Sequence, residues 1–144
     1  MDEWKYSDGW SEEELLNGSY CGFVYCFYFP NSDQYYYGAK QLYKRVKDAK
    51  KIKADSTSNG WENYTSSSKT VNQMIDEGEP YIRTVLYGFP TMRETLLVES
   101  IIITTQILKP DCLNMAVMNK LRAPNSQTKA RLLAIVQEIL EWVN

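Results

Sequence analysis

The sequence predicts an α/β domain of the α+β kind, on two observations. Short runs of aromatic and β-branched residues bounded by turn residues read as strands. Ser/Thr-x-x-Glu boxes ahead of apolar runs open helices between and after them. The first run, Phe23–Phe29, is followed by turn chemistry in Pro30-Asn31-Ser32-Asp33, and Tyr35–Tyr37 restarts a strand that Gly38 ends. That is a β-hairpin with a longer-than-minimal loop. Tyr25 lies near the start of its first strand and Tyr36 near the end of its second, so an antiparallel fold-back brings the two phenols near each other. Tyrosines in a hairpin also serve simply as packing residues, because each buries a large ring and keeps a polar tip.

The remaining elements follow in order. Ser11-Glu12-Glu13-Glu14 is a capping box opening a short helix into Leu15-Leu16, and Asn17-Gly18 stops it. Residues 1–20 therefore read as an acidic N-terminal extension. After the hairpin, Leu42, Val46, Ala49 and Ile52 recur at helical spacing, which predicts a helix over 39–53 with its lysines on the other face. Residues 54–68 are rich in Ser, Thr, Asn and Gly and read as loop. Trp61 and Tyr64 within it are placed either to stack on bases or to pin the loop to the core. Ser67-Ser68 precede a short helix over 69–77, which Gly78 stops. Tyr81–Tyr87 reads as a third strand. Thr91-Met92-Arg93-Glu94 is a second capping box, and the helix it opens runs to Leu108, apolar over most of its circumference and hence buried. Leu113–Ala116 forms a turn or short strand. A last amphipathic helix over 127–143 either covers the core or pairs with a partner.

Composition removes several chemistries. The chain of 144 residues contains no histidine, which excludes histidine triads, bases and metal ligands. Its three cysteines (Cys21, Cys26 and Cys112) lack zinc-type spacing, and an odd number does not suggest a disulfide framework. Reduced thiols, the polar start and the lack of any long apolar run lead to the expectation of a soluble, cytoplasmic protein with no membrane partner. Net charge is −2, yet Lys40, Lys44, Arg45, Lys47, Lys50, Lys51 and Lys53 face only Asp48 within their stretch. Such a run is either a solvated face or a phosphate-contacting stripe.

Glu99 stands apart, inside Leu96-Leu97-Val98-Glu99-Ser100-Ile101-Ile102-Ile103. An ionised carboxylate in apolar surroundings costs several kcal/mol unless compensated. Glu99 must therefore face a polar pocket, pair with a cation or bind a metal. Glu94 has a simpler role in the second capping box.

Together these features resemble the GIY-YIG nuclease family. Phe23-Val24-Tyr25 is close to Gly-Ile-Tyr, Tyr36-Tyr37-Gly38 is close to Tyr-Ile-Gly, and the eleven positions from Tyr25 to Tyr36 match the family's spacing. Arg45 fills the place of an arginine after the hairpin, Glu99 that of a metal-binding glutamate, and Asn114 that of a following asparagine. Trp61–Lys69 resembles the Trp-x-x-Tyr-x-Gly-Ser-Ser-Lys element of phage-type members, with Ser66 in place of the glycine. Phe23 stands where glycine is usual. The segment after Gly38 is one residue short, so Lys40 or Lys44 can share the role of Arg45.

The resemblance implies a three-stranded antiparallel sheet flanked by helices over 21–116, with 117–144 as an extra C-terminal helix of the same domain. It implies a DNA endonuclease using Mg²⁺ or Mn²⁺ held by Glu99. Tyr25 first, or Tyr36, would activate or orient water, and Arg45 would stabilise phosphate charge. Lys40, Lys44, Lys47, Lys69 and Asn114 would contact DNA. The alternatives are an inactive scaffold that binds nucleic acid, or a protein-interaction module with inhibitory or regulatory action. Either form could be a homodimer through the last helix.

Overall fold

In the computed structural model, residues 3–117 and 123–144 are described. The hairpin forms as predicted, from β2 (Gly22–Phe29) and β3 (Gln34–Gln41), with Tyr25 paired to Gly38 and Phe27 to Tyr36. The third predicted strand is β4 (Ile82–Phe89), antiparallel to β2 on its other side. A register shift between Val24 and Tyr25 in that pairing places an irregularity beside the first site tyrosine.

The sheet has four strands rather than three. Residues read as an extension supply β1 (Lys5–Tyr6), which pairs parallel with β4 and gives the order β1-β4-β2-β3. Two residues are too short a run to show a period, which is why the sequence hides this strand. Its anchor is Trp4, buried against Phe23, Tyr25 and Phe27 in edge-on ring contacts. Half of the expected box forms: Ser11 caps α1 (Glu12–Leu15), its hydroxyl accepting from the Glu14 amide, while the Glu14 carboxylate accepts from the Tyr20 hydroxyl, and Leu15 enters the core.

The helix expected over 39–53 is not there. β3 continues through Gln41, with Ala39 opposite Val24 and Lys40 opposite Phe23. The chain then turns through Arg45 at φ 63° and forms a single 3₁₀ turn, Ala49–Lys51, capped by the Asp48 carboxylate. Of the four apolar positions in that period, Leu42 and Val46 are buried and Ala49 and Ile52 half-buried. The two buried residues enter different clusters, Leu42 beneath the aromatic face and Val46 beside Cys21 and Met92. Ladder bonds to β2 satisfy the backbone of 39–41, and that long-range pairing overrides a local helical period. The lysines consequently sit on an irregular loop, not a helix face.

The other helices match their signals. α2 (Lys69–Asp76) is capped by Ser68, α3 (Met92–Gln106) by Thr91 and α4 (Ser126–Val143) by Asn125. α3 is apolar all round because it is packed on two sides. Val98, Ile102 and Ile103 join Val24, Cys26, Leu86 and Phe89 of the sheet, while Leu132, Ile135, Val136 and Ile139 of α4 close the same cluster. Arg131 of α4 is ion-paired to Glu94 of α3.

The opposite face of the sheet is aromatic. Phe23, Tyr25, Phe27 and Phe29 alternate onto it and meet Trp4, Trp61, Val71 and Val85. Trp61 is buried and pins its loop rather than offering a free stacking surface. Its carbonyl accepts from the Trp4 indole N–H at 2.9 Å.

Candidate active site at the edge strand

The β-strand period of two puts Tyr36, Gly38 and Lys40 of β3 on the aromatic face with Tyr25 of β2. Tyr25 crosses to its neighbour over Gly38. A Cβ at Gly38 would collide with the Tyr25 ring and hydroxyl, so the phenol's path requires this glycine. Both motif tyrosines and the motif glycine are thus one packing unit. Tyr25 is buried, at 1% exposure, whereas Tyr36 is only half-buried.

The 61–68 loop closes over this pair. The Tyr64 ring meets Tyr25 edge-on at 5.9 Å, and the Lys40 ammonium lies 4.5 Å over the Tyr64 ring. Ser66 is buried at φ 81°. Burial raises the Tyr25 phenol well above its usual range, the neighbouring Tyr64 and Tyr36 phenols add to this, and the Ser66 hydroxyl acts in the opposite direction. Burial likewise raises Tyr36. The hydroxyls of Ser66 and Ser67 oppose it, while the charges of Tyr64 and Glu99 reinforce it. Burial lowers the Lys40 ammonium. Both phenols are therefore protonated, hydrogen-bond-donating groups at neutral pH.

Glu99 stands on α3, the helix packed against the other, aliphatic face of the sheet, and is half-buried there. Its negative charge is one of the lesser causes that raise the Tyr36 phenol.

Arg45 occupies the left-handed turn beyond β3 and is exposed, beside exposed Lys44 and Lys47. Lys40 is the nominated cation that packs within the tyrosine cluster. Lys69 is exposed at the start of α2. Asn114 is engaged elsewhere: its amide donates to the Tyr37 carbonyl at 2.7 Å and accepts from the Tyr37 amide at 2.8 Å. Buried in this way, it extends the outer edge of β3, which Asp111 and Leu113 also bond through Tyr35. The amide expected to meet DNA thus acts as an edge clamp.

One residue with a large role escaped the sequence. Arg83 on β4 is 2% exposed, with its guanidinium 4.5 Å over the Trp4 ring and Nη1 donating to the carbonyls of Glu62 (3.2 Å) and Tyr64 (2.9 Å). It ties the loop carrying Tyr64 and Ser66 to the sheet. Its neighbour Ile82 is 41% exposed, so hydropathy alone would have oriented this strand the wrong way. The strand period counted from Val85 was the available signal, because Arg83 and Val85 share a face.

No three Cys, Asp or Glu side chains gather among the described residues to form a protein cage for an ion. The donor set still suits Mg²⁺, which keeps its waters and binds through one or two carboxylates together with substrate phosphates. Glu99 is such a carboxylate. No helix among the described residues is long and apolar enough to cross a membrane.

A small α+β domain with paired motif tyrosines on a hairpin, a glycine beneath one phenol and a glutamate on a later helix has the organisation of a GIY-YIG nuclease domain. The family model "Putative endonuclease segE, GIY-YIG domain" matches residues 4–121, and the chain belongs to this phage-type GIY-YIG endonuclease family. The match begins at Trp4, in keeping with the place of β1 in the sheet. No curated protein and no solved structure matches the chain.

Proposed function

We propose that the protein is a metal-dependent DNA endonuclease that hydrolyses phosphodiester bonds at the Tyr36–Glu99 edge of the sheet. What supports this reading is the pair of motif phenols on one face of the β2–β3 hairpin, with a half-buried glutamate on α3, within a domain of a nuclease family.

Glu99 would hold one Mg²⁺ or Mn²⁺, which when bound supplies Lewis-acid polarisation of the scissile phosphate. Tyr36 is the phenol that meets the substrate side, being the more exposed of the two. Because burial and the Glu99 charge keep it protonated, it donates a hydrogen bond that orients the attacking water or a phosphate oxygen, rather than acting as a base. Tyr25 sits behind it and fixes its position. This reverses the expected precedence of the two tyrosines. Lys40 offsets phosphate charge at the site. Arg45, Lys44, Lys47 and Lys69 supply exposed cations for the DNA backbone on either side. A homodimer would use the exposed Leu133 and Trp142 of α4, and sedimentation at rising concentration tests that assembly.

Incubation of supercoiled plasmid with the protein tests the reading. Nicks that form with Mg²⁺ or Mn²⁺ and are absent with EDTA support it. Salt-sensitive DNA binding without nicking in either ion would favour an inactive nucleic-acid-binding scaffold instead.

A further inference from the structure

The loop that closes over the motif phenols presents one ring face to a cation. Tyr64 is half-buried, and the Lys40 ammonium lies 4.5 Å over its ring. The strand period puts Lys40 on the face of β3 that also carries Tyr36 and Gly38. Tyr64 itself is clamped. Its ring meets the Tyr25 ring edge-on at 5.9 Å, and its carbonyl accepts from Arg83 Nη1 at 2.9 Å. Upstream, its amide donates at 3.2 Å to the Trp61 carbonyl. That carbonyl also accepts from the Trp4 indole N–H at 2.9 Å. Downstream, the Thr65 hydroxyl donates to Asn72 Oδ1 at 2.7 Å, and Asn72 Nδ2 donates to the Ser66 and Ser68 carbonyls at 2.8 and 3.0 Å. A lysine ammonium is a point charge on a flexible stem, so it needs such a fixed surface to keep one place. A ring face attracts the ammonium without neutralising it, as a carboxylate would. Among the described residues no ion pair ties Lys40 to an acid. Its charge thus remains available to an anion.

We propose that Tyr64 is a positioning residue of the site, its ring holding the Lys40 ammonium beside the motif phenols to receive a phosphate of the DNA. The phosphate rests on the proposed cleavage function, whereas the hold on Lys40 can be read without cleavage. Arg83 and Trp4 act one step further out, by fixing the loop that carries Tyr64.

The experiment uses the full chain labelled with ¹³C-lysine, the Lys40 ε-methylene proton resonance being assigned by its loss in Lys40→Met. An aromatic ring shifts protons above its face upfield, so in the parent this resonance is expected upfield of those of the exposed lysines. Tyr64→Phe, which keeps the ring, is expected to retain that position, and Tyr64→Leu to lose it. A short DNA duplex should move the Lys40 resonance in the parent and much less in Tyr64→Leu. Plasmid nicking supplies a second readout. Tyr64→Leu should slow turnover about tenfold with little change in DNA affinity, and adding it to Lys40→Met should slow that variant no further. A loss that came only from disturbed packing would instead add to that of Lys40→Met. A parent Lys40 resonance among those of the exposed lysines, or one that DNA leaves unmoved, would overturn the proposal however stable the variants prove. So would a Lys40 resonance that Tyr64→Leu leaves in place, or additive losses in the double variant. If the parent protein nicks nothing, the reaction reading fails, while the resonance and its response to DNA still decide whether Tyr64 presents Lys40 to a phosphate.

Discussion

The two faces of the sheet solve the same packing problem with different chemistry. Against α3 and α4 the sheet presents Val24, Cys26 and Leu86 to Val98, Ile102 and the apolar side of α4. Against the 61–68 loop and Trp4 it presents Phe23, Tyr25, Phe27 and Phe29, with the Arg83 guanidinium among them. The aliphatic face contributes burial, about 1.5–3 kcal/mol for each fully covered side chain. The aromatic face does this too, but it also carries hydroxyls and an ammonium to the boundary with solvent and holds a guanidinium within. Tyrosine permits this because its ring packs while its tip remains polar. The difference teaches why the site lies where the aromatic face meets the β3 edge: a purely aliphatic core has no groups to offer there.

The largest break of this contrast is expected from Arg83→Leu. It removes the donors to the Glu62 and Tyr64 carbonyls and the cation over Trp4, and should cost about 3–5 kcal/mol. Chemical denaturation gives the loss, and tyrosine and tryptophan fluorescence should show the 61–68 loop released. Ile102→Ala tests the other face. It should cost about 2–5 kcal/mol by leaving a cavity, yet the protein should still nick DNA well below its melting temperature.

Alkali sharpens the comparison next. Burial, foremost, pushes the Tyr6 and Tyr20 phenols up to about 12, and Tyr25 is raised well above its usual range. Phenols whose folded values exceed the unfolded value near 10 contribute stability that is complete below that pH and is lost as pH rises through the folded values. The buried Cys21 and Cys26 thiols are raised by burial as well, Cys21 to about 11. Melting temperatures should therefore be level from pH 7 to about 8, begin to fall near pH 9 as the thiols enter, and fall further from 10 towards 12 as the phenols do. A melting temperature that stays level between pH 10 and 12 would contradict the burial of these rings. The smallest effect on stability is expected from Tyr36→Phe, within about 1 kcal/mol, because the ring packing is kept. Its nicking rate should nevertheless drop about 100-fold.

How far the sequence could be read follows from the range of the forces involved. The hairpin, β4 and the caps of α1, α2 and α3 depend on neighbours a few residues away, and Ser11, Ser68 and Thr91 announce them. The meeting of Tyr25 and Tyr36 on one face follows from hairpin geometry. The failures all depend on distant partners. Pairing with β2 keeps 39–41 extended against a helical period. Trp4 and the loop carbonyls make a buried place for Arg83 that no local pattern predicts. Asn114 is turned to the Tyr37 backbone, 77 positions away. Ser66 was legible only as a residue standing where glycine is usual, and its φ of 81° shows the backbone that glycine would favour.

The central claim is the proposal that the Glu99 carboxylate and the half-buried Tyr36 phenol together make this edge of the sheet catalytic. The most direct measurement is the plasmid-nicking rate of Glu99→Gln beside the parent in Mg²⁺ and in Mn²⁺, with the melting temperatures of both. The account predicts an unchanged melting temperature and no ion-dependent nicking by the variant. A folded Glu99→Gln protein that cuts at the parent rate would contradict it.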